Sequence, residues 1–238
     1  MSDATVSQNL RNYYRKWSLT NPGRTVVRIG SRAIRERASR YLSGRLLEIG
    51  CGTKRKQLLV GDFVDEYVGL DHVDTIHDRS RIDVLATAYE TTLADASFDC
   101  VLSTAVLEHL EEPEKALREA LRVLKPGGYG LYTTPLYFPL HEEPRDFYRY
   151  TKYGLRYLFE KSGFEVVEIT ALSSFWVTAG TAWAYYLQRY RKGILKQPVR
   201  LIVILGNLVF PWIEKLARHD ERFTWSYLTV VRKPAPDS

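Results

Sequence analysis

The stretch RLLEIGCGTKRKQLL, residues 45–59, holds the first residue pattern with chemical consequences. An apolar run reaches an acid, Glu48, breaks into Gly50, Cys51 and Gly52, and then turns basic. Glycines at such a turn let the backbone approach a ligand where a Cβ would otherwise stand. A dinucleotide site needs G-x-G-x-x-G with a pyrophosphate on the helix that follows. Arg55 occupies the third glycine's place, so that pattern fails, and no G-K-[ST] follows to make a phosphate loop. Asp71 lies 21 residues beyond Gly50. An acid there fits a bidentate hydrogen bond to both hydroxyls of a ribose and opposes a 2′-phosphate. The turn and the acid together point to an adenosine-type cofactor with no required pyrophosphate contact. An α/β protein without such a cofactor can carry the same two features.

Those residues need strands to carry them. Strand-like runs occur at RLLEIG, EYVGLD (66–71), RIDVLAT (81–87), FDCVLST (98–104), YGLYTTP (129–135), FEVVEITAL (164–172) and FTWSYLTVVR (223–232). Helices are predicted at 8–17, 31–42, 113–124 and 152–162. The third has Pro113 in its first turn and a KPGG stop, and the fourth has Thr151 as its cap. Strands alternating with helices, and apolar almost throughout, imply a parallel, doubly wound sheet covered on both faces. The last two strands are separated by about 50 residues, which predicts an antiparallel pair carrying a large insertion.

At 238 residues, 45% hydrophobic and 26% charged, the composition is that of a globular chain and excludes general disorder. Only the tail RKPAPDS reads as frayed. Two cysteines, Cys51 and Cys100, both in apolar contexts, make neither a disulfide framework nor a metal knuckle. The polar start MSDATVSQNL lacks the apolar core of a secretory signal, so a reducing, cytoplasmic setting is expected. The net charge of +6 is uneven. Residues 1–45 hold 10 Lys/Arg against 2 Asp/Glu, residues 46–171 hold 14 against 22, and residues 172–222 hold 8 against 3. Basic flanks of this kind meet nucleic acid, anionic lipid or a phosphorylated substrate, or are simply solvated.

The segments LLEIGCGT, YVGLD, LADASFDCVLSTAVLEHLEEPEKALREALRVLKPGGYGLY and SGFEVVEI resemble the class I S-adenosylmethionine-dependent methyltransferases. HEEPRDFYRYTKYGL resembles the methyltransferase type 11-like branch found in polysaccharide and glycan biosynthesis. The resemblance implies a Rossmann-like α/β sheet of seven strands in the order 3-2-1-4-5-7-6, the last antiparallel, with a helical insertion between strands 6 and 7. It divides the chain into an N-terminal helical cap (1–44), a cofactor-binding domain (45–172 and 223–233) and the insertion (173–222). It implies S-adenosyl-L-methionine as cofactor. Glu48, Gly50, Cys51 and Gly52 would hold its methionine end, Asp71 its ribose and His72 its adenine, with Ser103 and Thr104 lining the methionine side. Two positions depart from the family. Thr87, with Ala88 beside it, stands where relatives have an acid near the adenine, Asp83 being the alternative acid, and Lys54 stands where many have glycine.

A methyl acceptor with a hydroxyl benefits from a general base, and His109 and His141 fall on loops beyond strand carboxyl ends. Each is equally readable as a hydrogen-bonded loop histidine. Glu108 would shape the methionine pocket or the acceptor site. Arg145 and Arg149 suit an anionic acceptor or surface ion pairs, and Tyr148 and Tyr150 suit a ring-shaped acceptor or core packing. No trio of acids suggests a magnesium site, so no metal is expected. Within the insertion, FWVTAGTAWAYYLQRYRKG and LIVILGNLVFPWI (201–213) are each too short to span a bilayer. Their aromatic and basic residues suit a substrate lid, a homodimer contact or a peripheral membrane interface. The expected reaction is methyl transfer to a hydroxyl of a small-molecule, sugar or glycan acceptor. The alternatives are an RNA methyltransferase and a catalytically inactive binding protein.

Overall fold

The structure is a computed structural model, which describes residues 3–75 and 78–235; part of the expected frayed tail, 236–238, lies outside them. The strands are β1 (Arg45–Ile49), β2 (Glu66–Asp71), β3 (Val84–Leu85), β4 (Phe98–Thr104), β5 (Leu124–Pro135), β6 (Glu165–Ala171) and β7 (Ser226–Arg232). They form one sheet in the order β3-β2-β1-β4-β5-β7-β6. β7 runs antiparallel to both β5 and β6, and the remaining pairs are parallel. This is the Rossmann-like arrangement expected from the sequence.

The apolar strands are explained by what covers them. On β1, Leu47 and Ile49 join one core with Val101, Leu117 of α4 (Pro113–Val123) and Leu155 and Phe159 of α5 (Lys152–Lys161). Leu46, pointing the other way, joins Cys100, Leu102, Leu228 and residues of α2 (Arg24–Tyr41) and α3 (Gln57–Val60). Successive side chains leave a strand on opposite faces, so burial on both faces requires apolar residues at every position. Thr151 caps α5 as predicted, its hydroxyl accepting from the Gly154 N–H at 3.1 Å.

Several elements differ from expectation; β5, for one, starts five residues early at Leu124 and takes in the KPGG segment. α1 (Asp3–Tyr14) is shifted toward the N-terminus, and α2 begins seven residues early. Gly30 does not break α2: a Cβ there would sit 3.7 Å from Leu172, an ordinary packing contact. β3 is two residues long rather than seven. Arg79–Arg81 form a 3-10 turn, and the Asp83 carboxylate is engaged by the Gly69 N–H at 2.7 Å instead of facing a strand surface.

Between β6 and β7 stand α6 (Phe175–Leu187) and α7 (Lys196–Leu216), joined by short 3-10 turns. Helix α7 runs through Asn207 and Pro211, so the 13-residue apolar run is part of a 21-residue helix. By length and composition this helix is long and apolar enough to cross a bilayer. Little of it is buried, and polar contacts hold it against the domain. Asn207 accepts from the Thr25 hydroxyl and donates to the Leu19 and Asn21 carbonyls, each at 2.9 Å. Glu214 accepts from the N–H groups of Ser174 and Val177, occupying free donors at the start of α6.

Candidate functional site

The glycine turn follows β1 directly. Gly50 and Gly52 adopt left-handed conformations, with φ of 72° and 52°, and the N–H groups of Gly50 and Cys51 both donate to the Leu70 carbonyl. A Cβ on Gly50 would collide with Val106 of the loop after β4, so glycine is required for that loop to close over the turn. Asp71 ends β2 beside the turn. Its carboxylate accepts from the Gly52 N–H at 2.6 Å and the His72 N–H at 2.8 Å, which fixes its orientation.

Lys54 is also left-handed, with φ of 55°, which a residue bearing a Cβ rarely adopts. Its position therefore makes a backbone demand that glycine would meet without strain. Its Nζ lies 2.6 Å from Asp83, and its stem covers Gly69, where a Cβ would come within 2.9 Å of both Cys51 and Lys54. Asp83 is thus a partner of Lys54 and lines neither cavity described below.

A cavity of about 290 Å³ opens over the turn, lined by Gly50, Asp71, His72, Thr87, Ala88 and apolar residues including Ile49, Leu70 and Val106. Two carboxylates, Asp71 and Glu111, line it, and Asp71 beside the apolar wall can accept from the hydroxyls of an adenosine moiety. Thr87 and Ala88 line the same cavity as Asp71 and His72. Glu48 and Ser103 are buried, and neither lines a cavity. Glu48 accepts a 2.5 Å hydrogen bond from the Tyr67 hydroxyl, and burial pushes its carboxyl up to about 8. Cys51 is buried beneath the turn and its thiol is pushed up to about 12 by desolvation.

A second cavity, of about 300 Å³, lies beyond the carboxyl ends of β4 and β5 and shares His109 with the first. Thr104, Glu108, His141, Thr133 and Thr134 line it. Its outer wall is aromatic: Tyr13, Trp17, Phe138, Tyr185 and Trp225, with Tyr185 and Trp225 stacked at 14° and 5.8 Å. Sequence reasoning missed all five. They come from α1, the turn after it, the β5 loop, α6 and the approach to β7, and no local pattern joins them. Thr133 and Thr134 were findable, since both stand at the carboxyl end of a central strand.

The neck between the cavities is built by two loops. The loop after β4 makes a 3-10 turn at Leu107–His109. The loop after β5 is tied to it where Phe147 and Tyr148 donate their N–H groups to the Glu108 carbonyl. His109 and His141 pack edge to face with ring centroids 4.6 Å apart. His109 Nδ1 lies 2.5 Å from the Arg145 carbonyl and His141 Nδ1 3.3 Å from the Pro139 carbonyl. A carbonyl only accepts, so each Nδ1 carries the proton and each Nε2 is left as an acceptor. Burial, followed by the neighbouring His109, holds the His141 imidazole below its usual value. Glu108 is fully buried and its carboxyl is pushed up to about 8 by desolvation.

The remaining predicted acceptor residues are dispersed. Arg145 lines the first cavity, not the second. The Arg149 guanidinium is engaged by Asp146, at 2.6 and 2.8 Å, and by the Phe138 and Pro139 carbonyls. Tyr148 donates to the Glu111 carbonyl and lines neither cavity, and Tyr150 is buried, donating to the Leu107 carbonyl.

Comparison with known proteins agrees with this geometry. A family model described as a methyltransferase domain matches residues 47–132. A probable S-adenosylmethionine-dependent methyltransferase of Mycolicibacterium smegmatis is 30% identical over 194 residues, covering 76% of this chain and 72% of that protein. The ubiquinone biosynthesis O-methyltransferase of Idiomarina loihiensis is 29% identical over 102 residues, 38% of this chain and 42% of that one. Among solved structures, a putative methyltransferase from Bacillus halodurans aligns over 85% of this chain and 98% of its own, with a TM-score of 0.55 and 16% identity, a likeness of fold. With the glycine turn, the acid at the end of β2 and a relative matched along most of both chains, this chain belongs to the S-adenosylmethionine-dependent methyltransferases, and S-adenosyl-L-methionine is its cofactor.

Proposed function

We propose that the chain methylates a hydroxyl of a small, ring-shaped acceptor of the sugar or glycan class. The observation that carries this reading is the aromatic second cavity, which meets the cofactor cavity at a neck holding His109 and His141. Aromatic faces pack against the C–H surfaces of a sugar or against another ring, and the threonines at the strand ends supply hydroxyls to orient it. In this reading Asp71 holds the ribose, the turn at Gly50 to Gly52 backs the methionine end, and His72, Thr87 and Ala88 flank the adenine. Glu48, Cys51 and Ser103 support those positions from beneath. The bound cofactor supplies a methyl group on a sulfonium, a good leaving group that needs no further activation. The protein's task is to align the acceptor oxygen and provide for its proton. Either Nε2 at the neck is placed to receive it. The relative from Idiomarina loihiensis is an O-methyltransferase, which supports an oxygen target.

An RNA acceptor fits less well. Lys56 is the one Lys or Arg lining the second cavity among the described residues. In the basic N-terminal flank, Arg35, Arg37, Arg40 and Arg45 are already paired with acids.

The insertion bears on where the acceptor is met. Leu201, Leu205, Leu208 and Trp212 of α7 are about half exposed or more, as is Trp183 of α6. Lys196, Arg200 and Lys215 share α7, and Arg189, Arg191 and Lys192 lie in the connection before it. Aromatic and basic residues around an exposed apolar helix suit an anionic membrane surface. The reading is therefore a peripheral enzyme acting on a lipid-linked or amphipathic acceptor, with Tyr185 on the inner side of α6 completing the acceptor wall. The test is to incubate the chain with labelled cofactor and fractionated cell extracts. Label in a lipid-linked or free glycan is expected, and label confined to RNA would overturn the proposal.

A further inference from the structure

We infer that Glu108, His109 and His141 form a binding site for a first-row divalent transition metal ion at the neck between the two cavities. The inference rests on the acceptor site proposed above and deepens it. One ligand atom from each of the three side chains lies within 4.8 Å of the others. Ligands around one such ion, at about 2.0–2.2 Å from it, stand somewhat closer together, so small side-chain rotations close the set.

Two further observations point to a cation. The Glu108 side chain is fully buried, and neither of its carboxylate oxygens has a hydrogen-bond partner. A buried carboxyl group with both oxygens unpaired is costly to the fold, and a cation would satisfy both. Both imidazoles are also oriented as metal ligands are. A ligating histidine typically donates its other ring N–H to a carbonyl or carboxylate, which fixes the tautomer and aims the free nitrogen. His109 Nδ1 has the Arg145 carbonyl and His141 Nδ1 the Pro139 carbonyl, with Asp146 3.4 Å from the same His141 atom. Each Nε2 is left free for the ion.

Two imidazoles and one carboxylate form a His₂Glu set with open positions, suited to zinc, cobalt, manganese or iron and poor for magnesium, which prefers oxygen. The expectation that no metal binds rested on the lack of an acidic trio. It did not foresee that His109 and His141, 32 positions apart in sequence, would converge. An ion at the neck would draw the acceptor hydroxyl to its open position. The O–H bond then breaks with its proton passing to water and its electron pair remaining on oxygen. That oxygen forms the bond to the methyl carbon as the C–S pair returns to sulfur. With the ion bound, both Nε2 atoms are ligands, and water takes the proton that they would receive in its absence.

The test uses the full, tag-free chain after chelator treatment. Co²⁺ is titrated by visible absorption, and Zn²⁺ and Mg²⁺ by calorimetry, with S-adenosylhomocysteine binding measured in parallel. One equivalent of Co²⁺ and of Zn²⁺ should bind, with Mg²⁺ at least tenfold weaker. Glu108→Gln and, at the more exposed position, His141→Asn should each weaken Co²⁺ binding at least tenfold, with folding checked by circular dichroism. Absence of saturable Co²⁺ and Zn²⁺ binding, or a loss below tenfold in both variants, overturns the inference. If S-adenosylhomocysteine binds but no metal does, the metal site fails and the methyltransferase reading stands. If metal binds while every glycan acceptor is refused, the acceptor reading fails and the metal site stands.

Discussion

Lys54 and Asp83 meet at 2.6 Å, so an ion pair ties the turn after β1 to the loop entering β3. The Lys54 side chain is mostly buried, and its backbone is held in the left-handed region at a φ of 55°. Lys54→Ala loses the ion pair and keeps the backbone penalty, whereas Lys54→Gly loses the pair and relieves the penalty. Left-handed backbone costs a residue with a Cβ about 1–2 kcal/mol. The glycine variant should therefore be more stable than the alanine variant by about 1 kcal/mol in urea unfolding. Equal stability would show that the turn is not strained there.

Asp71 is oriented by two backbone N–H groups before any ligand arrives. Asp71→Ala should weaken S-adenosylhomocysteine binding by about 1–3 kcal/mol, the usual loss for hydrogen bonds to a charged group. Calorimetry reads this directly, and unchanged affinity would remove Asp71 from the ribose site.

Glu48 provides a pH signature. Burial raises its carboxyl from an ordinary value of 4.5 to about 8 in the folded chain. The folded state holds this proton more tightly than the unfolded state, so the contribution to stability is full below pH 4.5 and is lost as pH rises through about 8. Glu48→Gln removes that dependence. Its stability relative to the parent should grow between pH 5 and 8, by on the order of 4 kcal/mol across that range. A gap that is flat or shrinks with pH would mean that Glu48 is ionised in the fold.

The outer face of α7 is testable with vesicles. The chain should sediment with anionic phospholipid vesicles and weakly with zwitterionic ones, and added salt should release it. Leu205→Ser with Trp212→Ser should reduce binding at least fivefold while leaving S-adenosylhomocysteine affinity unchanged. If the exposed face instead pairs two copies, sedimentation velocity would show a dimer that this double variant breaks, and the membrane proposal would fall.

Much of the cofactor half of the site was legible in the sequence, because its determinants are local. A strand, a glycine turn and an acid at the next strand's end constrain the backbone within the 27 residues from Arg45 to Asp71. Thr151 as a cap, Pro113 at a helix start and the apolar strands were readable for the same reason: each reports a backbone need of its own segment. The sheet order followed from resemblance, and the backbone pairing agrees with it.

Tertiary structure alone decided the second cavity. Arg149 had the right chemistry for an anion, yet Asp146 three residues away engages it first. Asn207, polar within an apolar run, finds the partners of its amide in α2 and the turn before it. The aromatic wall gathers residues from Tyr13 to Trp225, and the Glu108–His109–His141 cluster needs two loops closed against each other. Side-chain convergence across such distances is set by how helices and loops pack on the sheet. Sequence spacing determined which residues could reach the carboxyl end of the sheet, and packing decided which of them face one another there.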